Sequence, residues 1–468
     1  MEGILKKNMR CRAVIEGYTS EGFGVARLDG RAVFVHGGAR GDECLLRILK
    51  AGPDGPVYAA IETLLVASPA RCVPVCPVYR PCGGCHFQHI DYEEELALKK
   101  TRVEDALVRI GKLDLPVETI WPAPALEGYR NKALFPVRAV DGRPSTGFFR
   151  ARSHDLVPVA HCALQSEEAN ALAAALRSWM EGCDVTPYDE ASGTGLIRHL
   201  FVRTGVDETL ACLVASGAAI PCRQALVRRL RAACPSLVGL VLQANARRDN
   251  VVLSGKTSLL WGRETMEDTL CGLRFRLSAA SFYQVNRQQA ERLYTLTAEY
   301  AALAAGDTLL DLYCGAGTLT LHLARGGVRG YGVELSAEAV RRARENAAHN
   351  GLPQVKFLQG DAAEAAARLR ADGARPDVVT VDPPRKGLAA ALIETIVQMA
   401  PARVVYLSCD PATLARDLAR FASLGYAPVR CAAVDMFPRT AHVESVCLLE
   451  RGGVGLANQA SVTSGSEG

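Results

Sequence analysis

The sequence of 468 residues lacks several features that mark other classes of protein. No stretch approaches the ~20 consecutive apolar residues of a membrane-spanning helix. No N-terminal segment combines a basic start, an apolar run and a cleavage site, so we expect no secretion signal and a cytoplasmic location. The formal net charge of +4 is too small to identify a partner. Sixteen cysteines are present, but in a long chain without a secretion signal we expect mostly reduced thiols.

Changes in composition and in the pattern of apolar residues divide the chain into four parts. Residues 1–67 show short strands separated by Gly-rich turns, which predicts a small OB-like β-barrel. The predicted strands are Arg12–Ile15, Gly24–Leu28, Ala32–Val35 and Cys44–Leu49. The first 50 residues hold nine Lys or Arg against six acids, which favours a nucleic acid as ligand, with a solvated face as the alternative. Residues 68–278 predict an α+β domain with a helix from Tyr92 to Ile110, and residues 452–468 predict a disordered tail.

Residues 279–451 alternate strands with helices, which predicts an α/β fold with a doubly wound, Rossmann-like sheet. The predicted strands are Thr308–Leu312, Gly330–Glu334, Val355–Gln359, Val378–Val381, Arg403–Ser408, Ala432–Asp435 and Ser445–Leu449. The first strand runs into a glycine turn, and the second ends at Glu334, whose carboxylate can accept hydrogen bonds from ribose hydroxyls. Asp361, after the third strand, can accept a hydrogen bond from an adenine amino group. The dinucleotide fingerprint would need a third glycine at Thr320, so S-adenosylmethionine fits this loop better.

The fourth strand ends in Asp382-Pro383-Pro384-Arg385, which narrows the chemistry. Enzymes that methylate amino groups place an aromatic residue at the position of Arg385, where it stacks on the target base. A cytosine-C5 enzyme acting on RNA would be expected to carry a Pro-Cys pair in this loop, and the loop has none. Methylation of uracil at C5 is the reaction that these two exclusions leave open.

Cys409 stands at the end of a predicted strand, before Asp410-Pro411, which can open a helix. Free amides at a helix N-terminus lower a thiol pKa from about 8.5, so we expect partial ionisation near neutrality, although the charge of Asp410 opposes it. An inert core cysteine is the alternative. A thiolate that adds to C6 of uracil makes C5 nucleophilic, and a base must then remove the C5 proton. Glu444 is our candidate for that base.

Several runs together resemble the RNA uracil-5-methyltransferase family. They are Asp311–Thr318, Asp382–Gly387, Ser408-Cys409 with Pro411–Asp417, Asp435–Pro438 and His442–Ser445. The resemblance implies that Cys409 is the nucleophile and Glu444 the proton acceptor. It also implies cofactor contacts from Gln284, Tyr313, Glu334, Asp361 and Asp382, and stacking of Phe282 on a flipped uracil. Asp410 and Arg439 depart from the family pattern, which commonly has Asn and His there.

Cys76, Cys82 and Cys85 form a compact group whose last pair encloses two glycines, which suits a metal centre. The resemblance implies Cys162 as the fourth ligand of a [4Fe-4S] cluster. Zinc bound by four thiolates is the alternative. Cys72 lies close by, and we expect it not to be a ligand.

The resemblance also covers the barrel, which is similar to the TRAM domain at the front of many family members. It implies an enzyme that methylates uracil C5 in RNA, with 23S rRNA favoured over tRNA, no membrane association and no obligate protein partner, as a monomer. A non-catalytic RNA-binding iron-sulfur protein is the alternative from another class. We expect cationic side chains of the segment Gly195–Arg203 to track phosphates, with a core strand as the other interpretation.

Overall fold

The computed structural model describes residues 5–52, 55–247, 251–253 and 257–452. The chain divides into two compact units that alternate along the sequence. The first unit comprises Met1–Arg102, Pro122–Glu291 and Asp435–Val443, and the second comprises Val103–Trp121, Arg292–Val434 and Glu444–Gly468. Among the described residues, no helix is long and apolar enough to cross a membrane. The predicted tail lies outside the described residues apart from Gly452, and the division at 67, 278 and 451 stays a prediction.

A closed five-stranded barrel opens the first unit. Its strands are β1 (Arg10–Tyr18), β2 (Gly24–Leu28), β3 (Arg31–Val35), β4 (Glu43–Lys50) and β5 (Val57–Val66), in the order β1-β2-β3-β5-β4. Alternate residues such as Ile15, Val33 and Leu46 are buried, as the two-residue period of a strand requires. The predicted barrel is confirmed, although the sequence pattern did not single out β5, whose C-terminal half is exposed.

Basic side chains of the barrel are partly engaged by acids. Arg10 lies 2.6 Å from Glu62, and Arg12 lies 2.5 Å from Glu43. Such exposed pairs contribute little to stability. They do reduce the positive charge that this part of the barrel offers to a nucleic acid.

The chain between the barrel and residue 278 is mixed α and β. Its elements are α1 (Tyr92–Arg109), β6 (Ile120–Trp121), β7 (Lys132–Val140), β8 (Arg143–Phe149), β9 (Leu156–Pro158), α2 (Glu167–Gly182), β10 (Ile197–Thr204), β11 (Thr209–Ala215), α3 (Arg223–Ala233), β12 (Leu237–Ala244), β13 (Thr257–Gly262), β14 (Met266–Leu270) and β15 (Leu273–Leu277). Seven of the strands form a sheet ordered β13-β12-β11-β10-β7-β8-β9. Helices α2 and α3 contribute Trp179 and Leu226 to its core.

The segment Gly195–Arg203 forms most of β10, which is buried along its whole length. Arg198 is 4% exposed and Arg203 is fully buried. Arg198 Nη1 donates to the carbonyl of Asn245 at 2.8 Å, and Arg203 Nη2 donates to the carbonyl of Ser281 at 2.5 Å. The prediction that these side chains track phosphates is therefore wrong, because their guanidinium groups are enclosed in the first unit.

A buried ion cluster ties the segment Asp435–Val443 to α1. Lys99 Nζ donates to Glu95 Oε1 at 2.7 Å and to Asp435 Oδ1 at 2.6 Å, and all three side chains are fully buried. Removing one member of such a cluster leaves a charge without its partner in a medium of low dielectric. The first unit therefore depends on a piece of chain that lies more than 300 residues after α1.

The second unit contains a mostly parallel sheet in which the last strand along the chain, Glu444–Arg451, runs antiparallel to its neighbours, with helices between the parallel strands. Its remaining elements are α4 (Arg287–Ala301), β16 (Thr308–Leu312), α5 (Thr318–Leu323), β17 (Arg329–Glu334), α6 (Ala337–His349), β18 (Val355–Gln359), α7 (Ala362–Ala371), β19 (Val378–Val381), α8 (Ala390–Met399), β20 (Arg403–Ser408), α9 (Pro411–Ser423), β21 (Tyr426–Val434) and β22 (Glu444–Arg451). The sheet order is β18-β17-β16-β19-β20-β22-β21-β6. The doubly wound fold is confirmed, and the strand order reverses between β16 and β19, where such sheets bind ligands.

Candidate active site

Cys409 and Glu444 meet at the end of one antiparallel strand pair. Ser408, the last residue of β20, pairs with Ser445 of β22, so Cys409 and Glu444 occupy the next position along this ladder. Residues directly opposite in such a ladder have Cα atoms about 4.5–5.5 Å apart. Strand β19 runs parallel to β20 on its other side, and Asp382 follows β19 directly. The topology therefore brings the three side chains to one edge of the sheet.

Asp410, directly after Cys409, is the N-cap of α9, which begins at Pro411. Its Oδ1 accepts hydrogen bonds from the backbone N–H groups of Ala412 and Thr413, each at 3.0 Å. These are amides that a helix N-terminus leaves without intrahelical partners. Asp410 therefore satisfies the donors that were expected to stabilise a thiolate at Cys409.

The thiol of Cys409 has an unfavourable environment for ionisation. Burial, followed by the charges of Glu444 and Asp382, raises its pKa to about 11, against an opposing effect of Arg385. The expectation of a partly ionised thiol near neutrality is wrong for the protein without substrates. The largest causes are burial and two carboxyl groups across the site, rather than Asp410, its neighbour in sequence.

Two acids of the site also resist ionisation. Glu444 is 5% exposed, and burial together with the charge of Asp382 raises its pKa well above the usual range, while Arg385 opposes the shift. Burial and the charge of Asp311 raise the pKa of Asp382 to about 7. Arg385 is thus the cation that acts on both Cys409 and Glu444. From the sequence, Arg385 served only to exclude methylation of amino groups. Its position directly after Asp-Pro-Pro could also have indicated a cation within the active site.

The loop after β19 is held against α9 by Asp417. Its Oδ2 accepts hydrogen bonds from the Leu388 backbone N–H and the Tyr406 hydroxyl, both at 2.7 Å. Gly387 has φ of 72°, and a Cβ there would lie 2.5 Å from the same oxygen. The loop that carries Arg385 is therefore fixed to the helix that begins beside Cys409.

The predicted cofactor residues of the second unit lie at the carboxyl ends of neighbouring parallel strands. Glu334 ends β17, and its Oε2 accepts from the Gly315 N–H at 3.2 Å, in the turn after β16. Asp361 caps α7 through the Ala363 N–H at 2.9 Å. Burial and the charge of Asp361 raise the pKa of Tyr313, which indicates that the two side chains are close. Carboxylates at this edge suit a nucleoside with hydroxyl and amino groups, so the residues fit S-adenosylmethionine.

Gln284 and Phe282 belong to the first unit, between β15 and α4. Gln284 is buried, and its backbone carbonyl accepts from Asn131 Nδ2 at 2.8 Å. Phe282 is 64% exposed, which leaves its ring available for stacking. Their roles as cofactor and substrate contacts stay predictions.

Four cysteines surround one cavity of about 70 Å³ in the first unit. They are Cys76, Cys82, Cys85 and Cys162, the four predicted ligands. Gln88 Nε2 donates to Cys85 Sγ at 3.3 Å, and the exposed Cys72 donates to the Gln88 carbonyl at 3.4 Å. Across the described ranges, no three or more His, Cys, Asp or Glu side chains are arranged to hold a metal ion. The thiols share one cavity without forming a tight site for a single ion.

Comparisons with known proteins agree on one family. The family model described as tRNA (uracil-5-)-methyltransferase matches residues 251–452. An uncharacterized RNA methyltransferase of Halalkalibacterium halodurans is 39% identical over 451 residues, which cover 95% of this chain and 98% of that protein. One of Clostridium acetobutylicum is 36% identical over 458 residues, covering 96% and 99%. The structure of Pyrococcus abyssi tRNA (uracil-54, C5)-methyltransferase with S-adenosyl-L-homocysteine matches with a TM-score of 0.76 and 26% identity, over 94% of this chain and 99% of that one.

Proposed function

The chain belongs to the RNA uracil-5-methyltransferase family and is an S-adenosylmethionine-dependent enzyme, and from this premise we propose that it methylates C5 of a uridine in 23S rRNA through Cys409 and Glu444. The observation that supports the mechanism is the pairing of β20 with β22, which ends at Ser408 and Ser445, the residues next to Cys409 and Glu444.

The reaction begins when Cys409, as a thiolate, forms an S–C6 bond and shifts the electrons of the C5–C6 double bond toward C5. S-adenosylmethionine, when bound, would supply a methyl group on a positively charged sulfur; the new bond from C5 forms as the bond between that methyl group and the sulfur breaks, which leaves a neutral thioether. Ionised Glu444 then removes the C5 proton, and the electrons of that C–H bond re-form the double bond as the S–C6 bond breaks. Arg385 favours the charged forms of both Cys409 and Glu444. The mechanism therefore needs this cation at two separate steps.

A Cys409→Ala variant tests the covalent mechanism, with Cys183→Ala as the matched control from the first unit. The protein is incubated with unmodified RNA and cofactor carrying a labelled methyl group. We expect Cys409→Ala to lose methyl incorporation while it retains cofactor binding, and Cys183→Ala to behave as wild type. Full activity of Cys409→Ala would refute the proposal.

The choice of 23S rRNA is supported by the resemblance to family members that combine a barrel with cluster cysteines. A tRNA substrate is the second candidate, and the match to the Pyrococcus abyssi enzyme over 94% of this chain favours it. Mapping 5-methyluridine in both RNAs from a deletion strain and from its complemented form separates the two. Loss confined to tRNA would overturn the 23S assignment.

We further propose that Cys76, Cys82, Cys85 and Cys162 bind a [4Fe-4S] cluster. A single zinc ion with Zn–S bonds of about 2.3 Å holds its sulfur ligands close together, whereas a cluster binds one thiolate at each of four separated irons. The four thiols that line one cavity, together with the resemblance to family members that carry such a cluster, support the second arrangement. Anaerobically purified protein should be brown and contain iron, and Cys85→Ser should lose both. Colourless wild type that contains zinc would refute the cluster.

A further inference from the structure

A polar cavity of about 290 Å³ lies in the first unit and shares Arg130 with the lining of the cysteine cavity. It is lined in part by Asn286 and Arg287, which follow the loop that carries Phe282. We propose that this cavity binds one unpaired nucleotide of the substrate RNA, with its phosphate between Arg130 and Arg287. The inference rests on RNA being the substrate, as proposed above.

Positive charge and helix ends converge on this cavity. Arg130 and Arg287 both line it, as does Ser166, the N-cap of α2. Asn286 lines it too and accepts from the Gln289 N–H at 3.3 Å, at the start of α4. A helix N-terminus carries partial positive charge and binds phosphate readily. Two helix ends and two guanidinium groups around one cavity therefore favour an anionic ligand.

The backbone of Arg130 holds the two helix ends in place. It forms isolated bridges with Gln165, just before α2, and with Asn286, just before α4. Its N–H donates to the Leu164 carbonyl at 3.1 Å. Arg130 itself lines the cavity, so these backbone contacts fix the point from which its side chain extends, between the two helix ends. Helix ends held in one arrangement lower the entropic cost of binding a phosphate.

Acidic groups at the cavity argue for a nucleotide rather than a free anion. Glu168 and Asp268 also line it. One carboxylate oxygen of Asp268 accepts a hydrogen bond from the Val206 N–H at 2.9 Å, and the other accepts one from the Tyr283 hydroxyl at 2.8 Å. Each oxygen has a further lone pair that can accept a hydrogen bond from a base. A ligand that offers both a phosphate and hydrogen-bond donors satisfies this mixed lining. The volume is also close to the lower end of small-ligand sites, which suits a single nucleotide.

The test compares Arg287→Gln with Arg228→Gln, which removes the same charge from an exposed position on α3. Affinity for an unmodified 23S transcript is measured at several salt concentrations. We expect Arg287→Gln to weaken binding about tenfold and to reduce the salt slope by about 0.7, as loss of one single-strand phosphate contact should. Arg228→Gln should bind within about twofold of wild type. Cofactor affinity and thermal unfolding verify that both variants are folded.

A series of transcripts with an abasic nucleotide at each position near the target identifies the bound nucleotide. One position should cost wild type affinity and cost Arg287→Gln much less, because the base contributes to affinity only while Arg287 holds the phosphate of the same nucleotide at the cavity. Equal affinity and equal salt slope for Arg287→Gln and Arg228→Gln would overturn the inference. So would stabilisation of wild type alone by inorganic phosphate with unchanged RNA affinity, which would assign a free anion. Absence of methylation of any RNA by wild type would instead refute the proposed function.

Discussion

Replacement of Glu444 by Gln should stop the reaction after methyl transfer and leave the RNA attached to Cys409. Gln keeps the shape of the side chain but cannot take the C5 proton, so the S–C6 bond cannot break. The first half of the reaction should survive, because the carboxyl group of Glu444 raises the pKa of the Cys409 thiol, and its removal favours the thiolate.

The magnitude follows from the thiol. A pKa of about 11 leaves roughly one thiol in a thousand ionised at pH 8, a cost of about 4 kcal/mol. Any relief of this cost accelerates adduct formation, whereas loss of a general base slows the last step by about 10²–10⁴-fold. The two effects act on different steps, so the adduct should accumulate.

The assay is a denaturing gel of enzyme mixed with RNA and labelled cofactor. Glu444→Gln should give close to one labelled, slowly migrating protein–RNA species per active enzyme, and the double variant with Cys409→Ala should give none. Repeated turnover by Glu444→Gln at the wild-type rate, without this species, would refute the assignment of the base.

Three further predictions concern charge in the two units. Arg385→Met should shift the pH–rate profile of methylation to higher pH, because Arg385 lowers the pKa of both Cys409 and Glu444, while Lys386→Met next to it should leave the profile in place. The carboxyl group of Asp382, with a folded pKa of about 7, retains a proton that the unfolded chain loses near pH 4, so wild-type stability falls as pH rises from about 4 to 7. In urea unfolding, Asp382→Asn should therefore become more stable relative to wild type over this range. Asp435→Asn should cost about 3–5 kcal/mol of unfolding free energy because it leaves Lys99 with one buried carboxylate, and a cost below about 1 kcal/mol would contradict the role of the cluster.

The sequence predicted the second unit well because its parallel strands are short apolar runs that end at functional residues. Thr308–Leu312 and Val378–Val381 match β16 and β19 in both bounds. β10 was harder to assign because it carries Arg198 and Arg203 in a fully buried strand. A charged residue in a one-dimensional pattern indicates exposure, and only the three-dimensional structure shows that these guanidinium groups are buried and donate to carbonyl groups of distant segments.

The sequence predicted which residues lie together at the site better than it predicted their ionisation. Cys409 was singled out by its place between a predicted strand and a predicted helix, and Glu444 by the resemblance; strand register then explained why they lie together. The ionisation of Cys409 was predicted from the amides of the helix that follows, with Asp410 opposing it, whereas the side chains that raise its pKa lie on β22 and after β19. Sequence distance was a poor guide because the fold, and not the chain, determines which charges are close.

The alternation of the two units along the chain has a consequence for the order in which the protein is made. Asp435–Val443 is the last piece of the first unit, so a ribosome must translate the segment Arg292–Val434 of the second unit before the first unit is complete. Until then Lys99, near the start, is without Asp435. A fragment that ends at any earlier residue lacks part of the first unit, and a premature stop anywhere before this segment therefore damages both halves of the protein at once.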